Sequence, residues 1–359
     1  MDNSFFLLTD KSTHIVIERF HICTWEFKNS SALIEFGFEV NIAECHKEAI
    51  TLDLFVPWLS GSLKVTDLYE SLKDSANSKF IFNDAVHGVI PLDDGQNMNG
   101  VIHEFTGRNS LCILPITTNI VEKNRILEIE IDLTYYKKKV AKDGPNIYFR
   151  FYLEPAITSI STRKTGISKS TIIYDIKINE KRSLPDHLFK NLKMKSLCKI
   201  SNCFCLNVVP NSFELTFLDS ATLKNVRTLE FESFHRYLKD KRVEEDELLV
   251  IFNKKEAKKE DKLPSYSFFS IFYKERIGVG QFALAVMLNL VCGILLFLPA
   301  FRQDNKICSL NDMFHKLPFE LYFAISIDLI LLLYFIWPSL NYLLKLLESR
   351  SKTILIKNR

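Results

Sequence analysis

Residues 277–301 read IGVGQFALAVMLNLVCGILLFLPAF, with no charged side chain, and residues 318–337 read PFELYFAISIDLILLLYFIW. Each stretch is about as long as the roughly 20 apolar residues that cross the hydrocarbon core of a bilayer. We therefore predict two transmembrane helices that form a hairpin around a short extracytoplasmic loop at 302–317. The preceding region is expected to lie outside the bilayer, and an amphipathic basic tail follows at 338–359.

The composition is ordinary for a globular protein, so the apolar residues of the membrane segments are a local feature. The chain has 359 residues, of which 47% are hydrophobic and 25% charged, and its net charge of +3 indicates no particular partner. The chain has 29 phenylalanines and only 11 glycines. This balance disfavours glycine-rich nucleotide loops and favours an aromatic β core.

The cysteines and the N-terminus both favour a cytosolic location for the first part of the chain. The eight cysteines follow no regular disulfide framework. The start, MDNSFFLLTDK, has no basic segment followed by a long apolar run, so a signal peptide is not predicted. We expect free, mostly buried thiols in a reducing compartment.

Residues 1–160 show the period-two alternation of β-strands. Phe36, Phe38 and Val40 fall on one face, and the runs 127–133 and 147–153 alternate in the same way. One apolar face predicts antiparallel strands over a core, in a sandwich or distorted barrel of about eight strands. The last two runs are predicted to form a hairpin, because Asp-Gly-Pro turn chemistry lies between them. A turn is predicted at 91–95 and a short helix near 65–73.

Residues 161–252 are predicted to be a mixed α/β region. The polar, basic segment 159–170 is expected to be a linker or long loop. A strand at 171–182, a short helix at 184–197 and strands at 213–218 and 248–252 follow from the spacing of apolar residues. The sequence leaves open whether this region is a separate domain or completes the same sandwich. The predicted fold class is thus a β-rich α+β cytosolic region followed by the two-helix hairpin.

The flanking charges predict the orientation of the hairpin. Residues 253–276 form a charged linker followed by an aromatic segment, expected at the headgroup level with Tyr266 and Tyr273 at the interface. This flank carries seven Lys or Arg residues and the tail five, whereas the loop 302–317 carries three. The positive-inside rule therefore places both termini in the cytoplasm. The predicted location is therefore a membrane that the chain crosses twice.

Asp328 is the main candidate for a functional residue, because a carboxylate in mid-membrane costs about 2.5–3.5 kcal/mol on insertion scales. In an oligomer it would form a carboxylate ring, as in cation pores. Ser339 falls nearly on the same helix face and is included in the predicted pore or gate, with Asn289 of the first span. The alternative is a structural role, in which a protonated Asp328 is hydrogen-bonded to Asn289.

Basic residues beside aromatic ones form a second candidate site. Phosphates and stacked bases of a nucleotide or oligonucleotide signal would suit such a patch, whose proposed residues are Tyr135, Tyr136, Lys137, Lys138, Lys139, Arg163 and Lys164. The alternative is a set of solvated loops or a contact with the inner leaflet.

Motifs for catalysis and metal binding are missing from the sequence. The arrangement of His187, Cys198, Cys203 and Cys205 lacks the paired spacing of structural zinc, so buried thiols are expected instead. No nucleotide-loop, zinc-protease or serine-hydrolase motif occurs. We therefore predict neither a cofactor nor an enzymatic activity, although an enzyme without a recognisable motif stays open.

The layout of a β-rich cytosolic region followed by two spans and a short outer loop resembles the membrane effectors of bacterial anti-phage defence systems. The effector of the Hailong system is similar in outline. The resemblance implies a homo-oligomer in the bilayer whose activation depolarises the inner membrane under the control of a signal-binding domain. The alternative function is a membrane-anchored interaction module, in which the hairpin only localises a β-sandwich.

Overall fold

A computed structural model describes residues 3–27, 31–93, 98–140, 144–166, 169–218, 223–228, 230–243, 248–257, 264–275, 279–304 and 318–333. The chain divides into two compact units. The first unit comprises Met1–Thr165 with Ser170–Lys274, and the second comprises Gly166–Lys169 with Glu275–Arg359. Of the residues that the structure describes, 47% lie in strands of two mixed sheets, and helices follow at the C-terminal end.

The strands follow the apolar runs of the sequence. In chain order they are β1 (Asn3–Asp10), β2 (Val16–Glu26), β3 (Ala32–Asn41), β4 (Ala49–Phe55), β5 (Val65–Asp67), β6 (Val86–Asp93), β7 (Met98–Phe105), β8 (Leu111–Ile113), β9 (Thr117–Val121), β10 (Ile126–Asp132), β11 (Asn146–Leu153), β12 (Thr162–Thr165), β13 (Lys169–Ile178), β14 (Lys195–Leu197), β15 (Ile200–Pro210), β16 (Glu214–Leu218), β17 (Leu223–Thr228), β18 (Leu248–Glu256) and β19 (Tyr266–Glu275).

The helices of the first unit are short. They are α1 (Tyr69–Leu72), α2 (Ser75–Phe82), α3 (Thr134–Lys139), α4 (Ile157–Ile160), α5 (Asp186–Asn191) and α6 (Phe231–Leu238), and the long helix α7 (Val279–Asp304) follows in the second unit. Two 3-10 turns, Glu122–Asn124 and Lys181–Ser183, also lie in the first unit.

Two sheets share one hydrophobic core. The first has the order β16-β19-β13-β1-β4-β10-β9, with β12 beside β13 and β14 beside β1. The second has the order β17-β18-β15-β2-β3-β11-β8-β7-β6, with β5 beside β11. Phe5 of the first sheet meets Phe36 of the second edge-to-face at 5.4 Å between ring centroids. The predicted sandwich-like layering agrees with this shared core.

The alternation had predicted antiparallel strands. This prediction is wrong for several strand pairs. The pairs β1–β13, β2–β15 and β8–β11 are parallel. Parallel neighbours need a long crossover, and more than a hundred residues separate β1 from β13 in the chain. Because β13 joins the first sheet and β15 the second, residues 161–252 contribute strands to both sheets, which answers the question left open by the sequence.

The central strands of the second sheet are buried on both faces. Its outer face is covered by α1, α2 and α6, whose apolar side chains pack with Trp25, Leu33 and Tyr148. Strands β3 and β11 are therefore almost entirely buried. The simple alternation of an apolar inner face with a solvated outer face is wrong for these two strands.

The predicted hairpin between 127–133 and 147–153 is also wrong. Strand β10 pairs with β4 and β9 in the first sheet, whereas β11 pairs with β3, β5 and β8 in the second. Asp132 Oδ1 accepts a hydrogen bond from the Thr134 amide at 2.8 Å. This contact turns the chain into α3, which lies between the two strands in sequence, and the strands enter different layers.

Several predicted loops form strands. Residues 162–165 pair with β13 as a hairpin. The prediction of a linker or long loop at 159–170 is therefore wrong for residues 162–165. Residues 91–93 belong to β6, and the rest of the predicted turn lies outside the described residues. The predicted helices near 65–73 and 184–197 are shorter than expected, with α1 and α5 at these places.

Within the described residues, the predicted linker and interfacial segment at 253–276 contributes strands to the sheets. Strand β18 continues to Glu256, and Tyr266–Glu275 is strand β19. Tyr266 is buried, and its hydroxyl donates to the Ile200 carbonyl at 2.6 Å. An aromatic run at strand spacing fits a sheet interior as well as a headgroup layer, and here Tyr266 packs into the core.

The second unit contains helix α7 and a helix at 319–333. Within the described residues, α7 alone is long and apolar enough to cross a membrane, over Phe282–Pro299. The described part of the second helix is fifteen residues long, which is shorter than a bilayer span. The remainder of the predicted second span, most of the loop 302–317 and the tail 338–359 lie outside the described residues.

Candidate functional site

A small cleft on the outer face of the second sheet brings together cationic and aromatic side chains. Its volume is about 170 Å³. We call it the arginine cleft, after the residues that define it: Arg19, His21, Arg108, Arg150, Phe82 and Phe204.

Strand register places three of these residues, Phe204, His21 and Arg150, in one row across four strands. His21 of β2 lies opposite Phe204 of β15 on one side and Gly37 of β3 on the other. Gly37 in turn lies opposite Arg150 of β11. A Cβ on Gly37 would lie 2.5 Å from the Tyr148 hydroxyl. The glycine therefore leaves room for the large side chains of its neighbours.

Glu35 holds Arg150 in place beneath the cleft. The Arg150 Nε donates to Glu35 Oε2 at 2.6 Å, and both side chains are buried. Trp25 Nε1 donates to Glu35 Oε1 at 2.6 Å, and the Tyr237 hydroxyl donates to Glu35 Oε2 at 3.0 Å. Burial lowers the pKa of Arg150, but Glu35 together with Tyr237, Tyr148 and Cys23 more than offsets this effect, and the pKa is raised well above its usual value.

Glu39 plays the same role for the other two arginines. Its Oε2 lies 2.7 Å from the Arg108 guanidinium and 3.4 Å from Arg19 Nε. The Arg108 guanidinium also lies over the rings of Phe82 and Phe105, at 4.9 and 5.4 Å from their centroids. Arg108 is thus fixed by one carboxylate and two aromatic faces.

The electrostatics of the cleft are positive. Three guanidinium groups meet two carboxylates, so one positive charge remains without a counterpart in this group. Burial lowers the pKa of His21 well below its usual value, and Arg150, Arg19 and Arg108 lower it further. Arg108 Nε and His21 Nδ1 are buried without a hydrogen-bond partner among the described residues.

The cleft was not predicted from the sequence, because its residues alternate with apolar ones on strands that were expected to expose their polar face to solvent. Glu35, Gly37 and Glu39 interleave with the core phenylalanines of β3. A usable signal was present in β2, where Arg19, His21 and Cys23 share a face. Such a strand carries charged or polar side chains on one face and large apolar side chains on the other. Where helices of the chain cover the polar face, its side chains form a buried polar layer.

The predicted basic patch has two separate parts. Residues 134–139 form α3, whereas Arg163 and Lys164 lie in β12 at the margin of the first sheet. Lys137 Nζ donates to the carbonyls of Cys45 and Lys47 at 2.8 and 2.5 Å. Its ammonium group therefore holds the loop before β4.

The other members of the patch differ in exposure. Tyr136 is buried and its hydroxyl donates to the Pro145 carbonyl at 2.7 Å. Lys138 is exposed and lies 5.5 Å from the ring centroid of Tyr135. Lys139 and Lys164 are exposed. Tyr136 and Lys137 also line a shallow cavity of about 370 Å³ with Cys45 and His46, so part of the patch borders a pocket.

Arg163 has a structural partner. It forms an ion pair with Glu26, whose carboxylate also accepts a hydrogen bond from the Tyr174 hydroxyl at 2.6 Å. Burial raises the pKa of Glu26, and the hydrogen bond from Tyr174 and the charge of Arg163 oppose this shift. Arg163 therefore neutralises a buried carboxylate at the margin of the sandwich.

Asp328 lies in the helix at 319–333, and Asn289 is exposed on α7. The Asp328 Oδ1 atom is buried and accepts no hydrogen bond within the described part of the chain. Many apolar side chains around it in sequence are exposed, among them Phe323, Leu329 and Ile330. Ser339 lies outside the described residues.

The cysteines behave as buried thiols. Cys198, Cys203 and Cys205 are buried and free, and burial raises the pKa of each thiol. His187 Nε2 lies 3.0 Å from the Asn124 carbonyl. No cluster of three or more metal-ligating side chains occurs in the parts of the chain that the structure describes.

Comparison of the chain with known proteins finds no matching family model and no matching curated protein.

Proposed function

We propose that this protein is a homo-oligomeric membrane effector or ion channel gated by its β-rich region. In this proposal it acts in the bacterial inner membrane, with both termini in the cytoplasm, and depolarises the membrane in anti-phage defence. The helix 319–333 would provide the second span of each subunit. Because two helices per subunit cannot enclose an aqueous pore, roughly three or more copies would surround it.

The observation that carries the proposal is the unsatisfied carboxylate of Asp328. The side chain is half-buried, and its Oδ1 atom is buried without a hydrogen-bond donor among the described residues. A buried oxygen left unpaired is costly. In a symmetric oligomer, the same side chain from each copy could share a cation or a proton at the pore axis. The monomer offers no such partner within its described residues, which favours an assembly.

The exposed apolar surface of the two helices also supports a membrane location. Leu295 and Leu296 on α7 and Phe319 on the second helix are largely exposed. Such a surface would be unfavourable in water, and lipid or neighbouring copies would cover it.

Depolarisation in cells that express the full chain tests the pore role of Asp328. Asp328→Ala should abolish the change in a potential-sensitive dye at equal expression, because it removes the proposed carboxylate ring. The matched control is Ser326→Ala in the same helix, whose hydroxyl donates to the Tyr322 carbonyl at 2.8 Å. Full depolarisation by Asp328→Ala would remove the pore role.

A membrane-anchored interaction module is the second candidate. The observation that favours it is that α7 alone qualifies as a span among the described residues, and one span is enough for an anchor. Replacing residues 277–337 by an unrelated two-span anchor distinguishes the two functions. An effector would lose depolarisation in this chimaera, whereas an interaction module would keep its function.

A further inference from the structure

We propose that the arginine cleft binds the phosphate group of a phosphomonoester, with the organic part of the ligand at the mouth. Neither the predicted basic patch nor the membrane helices belong to this site. Binding itself does not depend on the membrane role. Only the step from binding to gating rests on the proposed function.

Two buried donors in the cleft lack partners. Arg108 Nε, which can only donate, and His21 Nδ1 make no hydrogen bond within the described residues, and a buried polar group left unsatisfied is destabilising. An oxyanion between them would satisfy both, with His21 protonated at Nδ1. Arg108 needs little reorganisation, because Glu39, Phe82 and Phe105 already hold its guanidinium.

The charge of the cleft fits an anion. Glu35 and Glu39 neutralise two of the three guanidinium groups, and one positive charge remains. Guanidinium groups match the oxygens of phosphate in geometry and bind them strongly. Phe82 and Phe204 line the cleft with apolar rings, and a low local dielectric strengthens such charge-assisted bonds.

The size of the cleft limits what enters it. Its 170 Å³ is smaller than the roughly 300–1,000 Å³ of pockets that enclose a drug-sized ligand. A tetrahedral oxyanion and a few waters fill such a space, since each water occupies about 30 Å³. A whole nucleotide does not fit, so its base and sugar would remain at the mouth.

His21 couples anion binding to pH. The groups that face its ring are Arg19 on the same strand, Arg150 and Tyr148 on β11, Arg108, and Phe204 on β15. Burial and the three arginines keep the His21 pKa low in the empty cleft, and a bound dianion would raise it. Binding therefore takes up a proton, so affinity should increase as pH falls between the two pKa values.

Calorimetry on the full-length protein in lipid nanodiscs tests the site, with adenosine 5′-monophosphate, inorganic phosphate and acetate as probes. Tighter binding of the nucleotide identifies a phosphomonoester as the source of the phosphate, and equal binding identifies phosphate itself. Acetate should bind much more weakly. Acetate binding as tight as phosphate, or no binding of either phosphate probe at about 10 mM, would overturn the proposal.

Arg108→Gln should weaken phosphate binding at least about tenfold, which corresponds to roughly 1.4 kcal/mol. The matched control is Arg182→Gln, which removes the same charge from an exposed arginine paired with Glu180. If Arg108→Gln impairs folding in a thermal scan, Arg108→Lys replaces it, because lysine keeps the charge but loses the Nε donor. Equal affinities of the cleft and control variants would contradict the site.

Sulfate isolates the role of His21, because it stays dianionic across the pH range. Its affinity should increase as pH falls in the wild type and show little pH dependence in His21→Gln. The same pH dependence in both proteins would overturn the role of His21. Failure of the effector role would appear separately, as phosphate binding without depolarisation.

Discussion

Glu35 is the residue whose replacement should most weaken the β-rich unit. Glu35→Gln keeps the size of the side chain and removes its charge. In the wild type, one carboxylate accepts from Trp25 Nε1, Arg150 Nε and the Tyr237 hydroxyl at 2.6, 2.6 and 3.0 Å. A glutamine has one oxygen to accept them, and its amide would point two hydrogens at donors. Arg150 would be left as a buried charge without its counterion.

Breaking a buried ion pair from one side costs about 3–5 kcal/mol. A domain is stable by roughly 5–15 kcal/mol in total, so the variant should lose a large part of its stability. The combined variant Glu35→Gln with Arg150→Met should recover part of this loss, because the uncompensated charge is then gone.

Urea denaturation of the full chain in detergent measures the effect, with tryptophan fluorescence as the signal because Trp25 contacts Glu35 directly. Glu70→Gln is the control, since Glu70 is mostly exposed and pairs with Lys73 at 2.7 Å. That variant should lose less than about 1 kcal/mol. The reasoning fails if Glu35→Gln loses no more than Glu70→Gln.

Three further predictions concern the same unit. Gly37→Ala should lower the free energy of unfolding by roughly 1–3 kcal/mol, and with it the melting temperature, because its Cβ would lie 2.5 Å from the rigid Tyr148 hydroxyl; an unchanged melting curve would contradict the packing. Burial raises the pKa of Cys205 to about 12, so iodoacetamide at about pH 8 should modify it only after unfolding, as measured by mass spectrometry. Burial also raises the pKa of Tyr69 to about 12. The raised pKa means that the protonated phenol favours the folded state. Its contribution to the free energy of unfolding should be fully present below the tyrosine's unfolded pKa of about 10 and be lost as pH rises towards 12. Alkaline denaturation of Tyr69→Phe against wild type would detect this loss.

The sequence was a good guide to where strands lie and a poor guide to how they pair. Alternation in 127–133 and 147–153 correctly indicated β10 and β11. Their partners depend on which sheet each strand enters: β10 pairs with β4 and β9, whereas β11 pairs with β3, β5 and β8. Local turn chemistry carries no information on contacts between residues so far apart in the chain.

The arginine cleft was hidden for a related reason. The polar residues of β3 and β11 look solvent-facing, because alternation alone cannot reveal the helices that cover them. Glu35 is 115 residues from Arg150 and 202 from Tyr237 in the chain. Only the assembled fold brings these groups into contact. The membrane segment, by contrast, depends on the composition of one contiguous stretch, and α7 agrees with that part of the prediction.

The most direct test of the effector account is the conductance of the purified full-length protein in a planar lipid bilayer. The account predicts discrete, cation-selective openings, with smaller conductance and weaker selectivity in Asp328→Asn, because the carboxylate ring is then uncharged. Ser326→Ala should conduct as the wild type does. Conductance no greater than that of the protein-free bilayer, or identical conductance and selectivity in Asp328→Asn, would contradict the central claim.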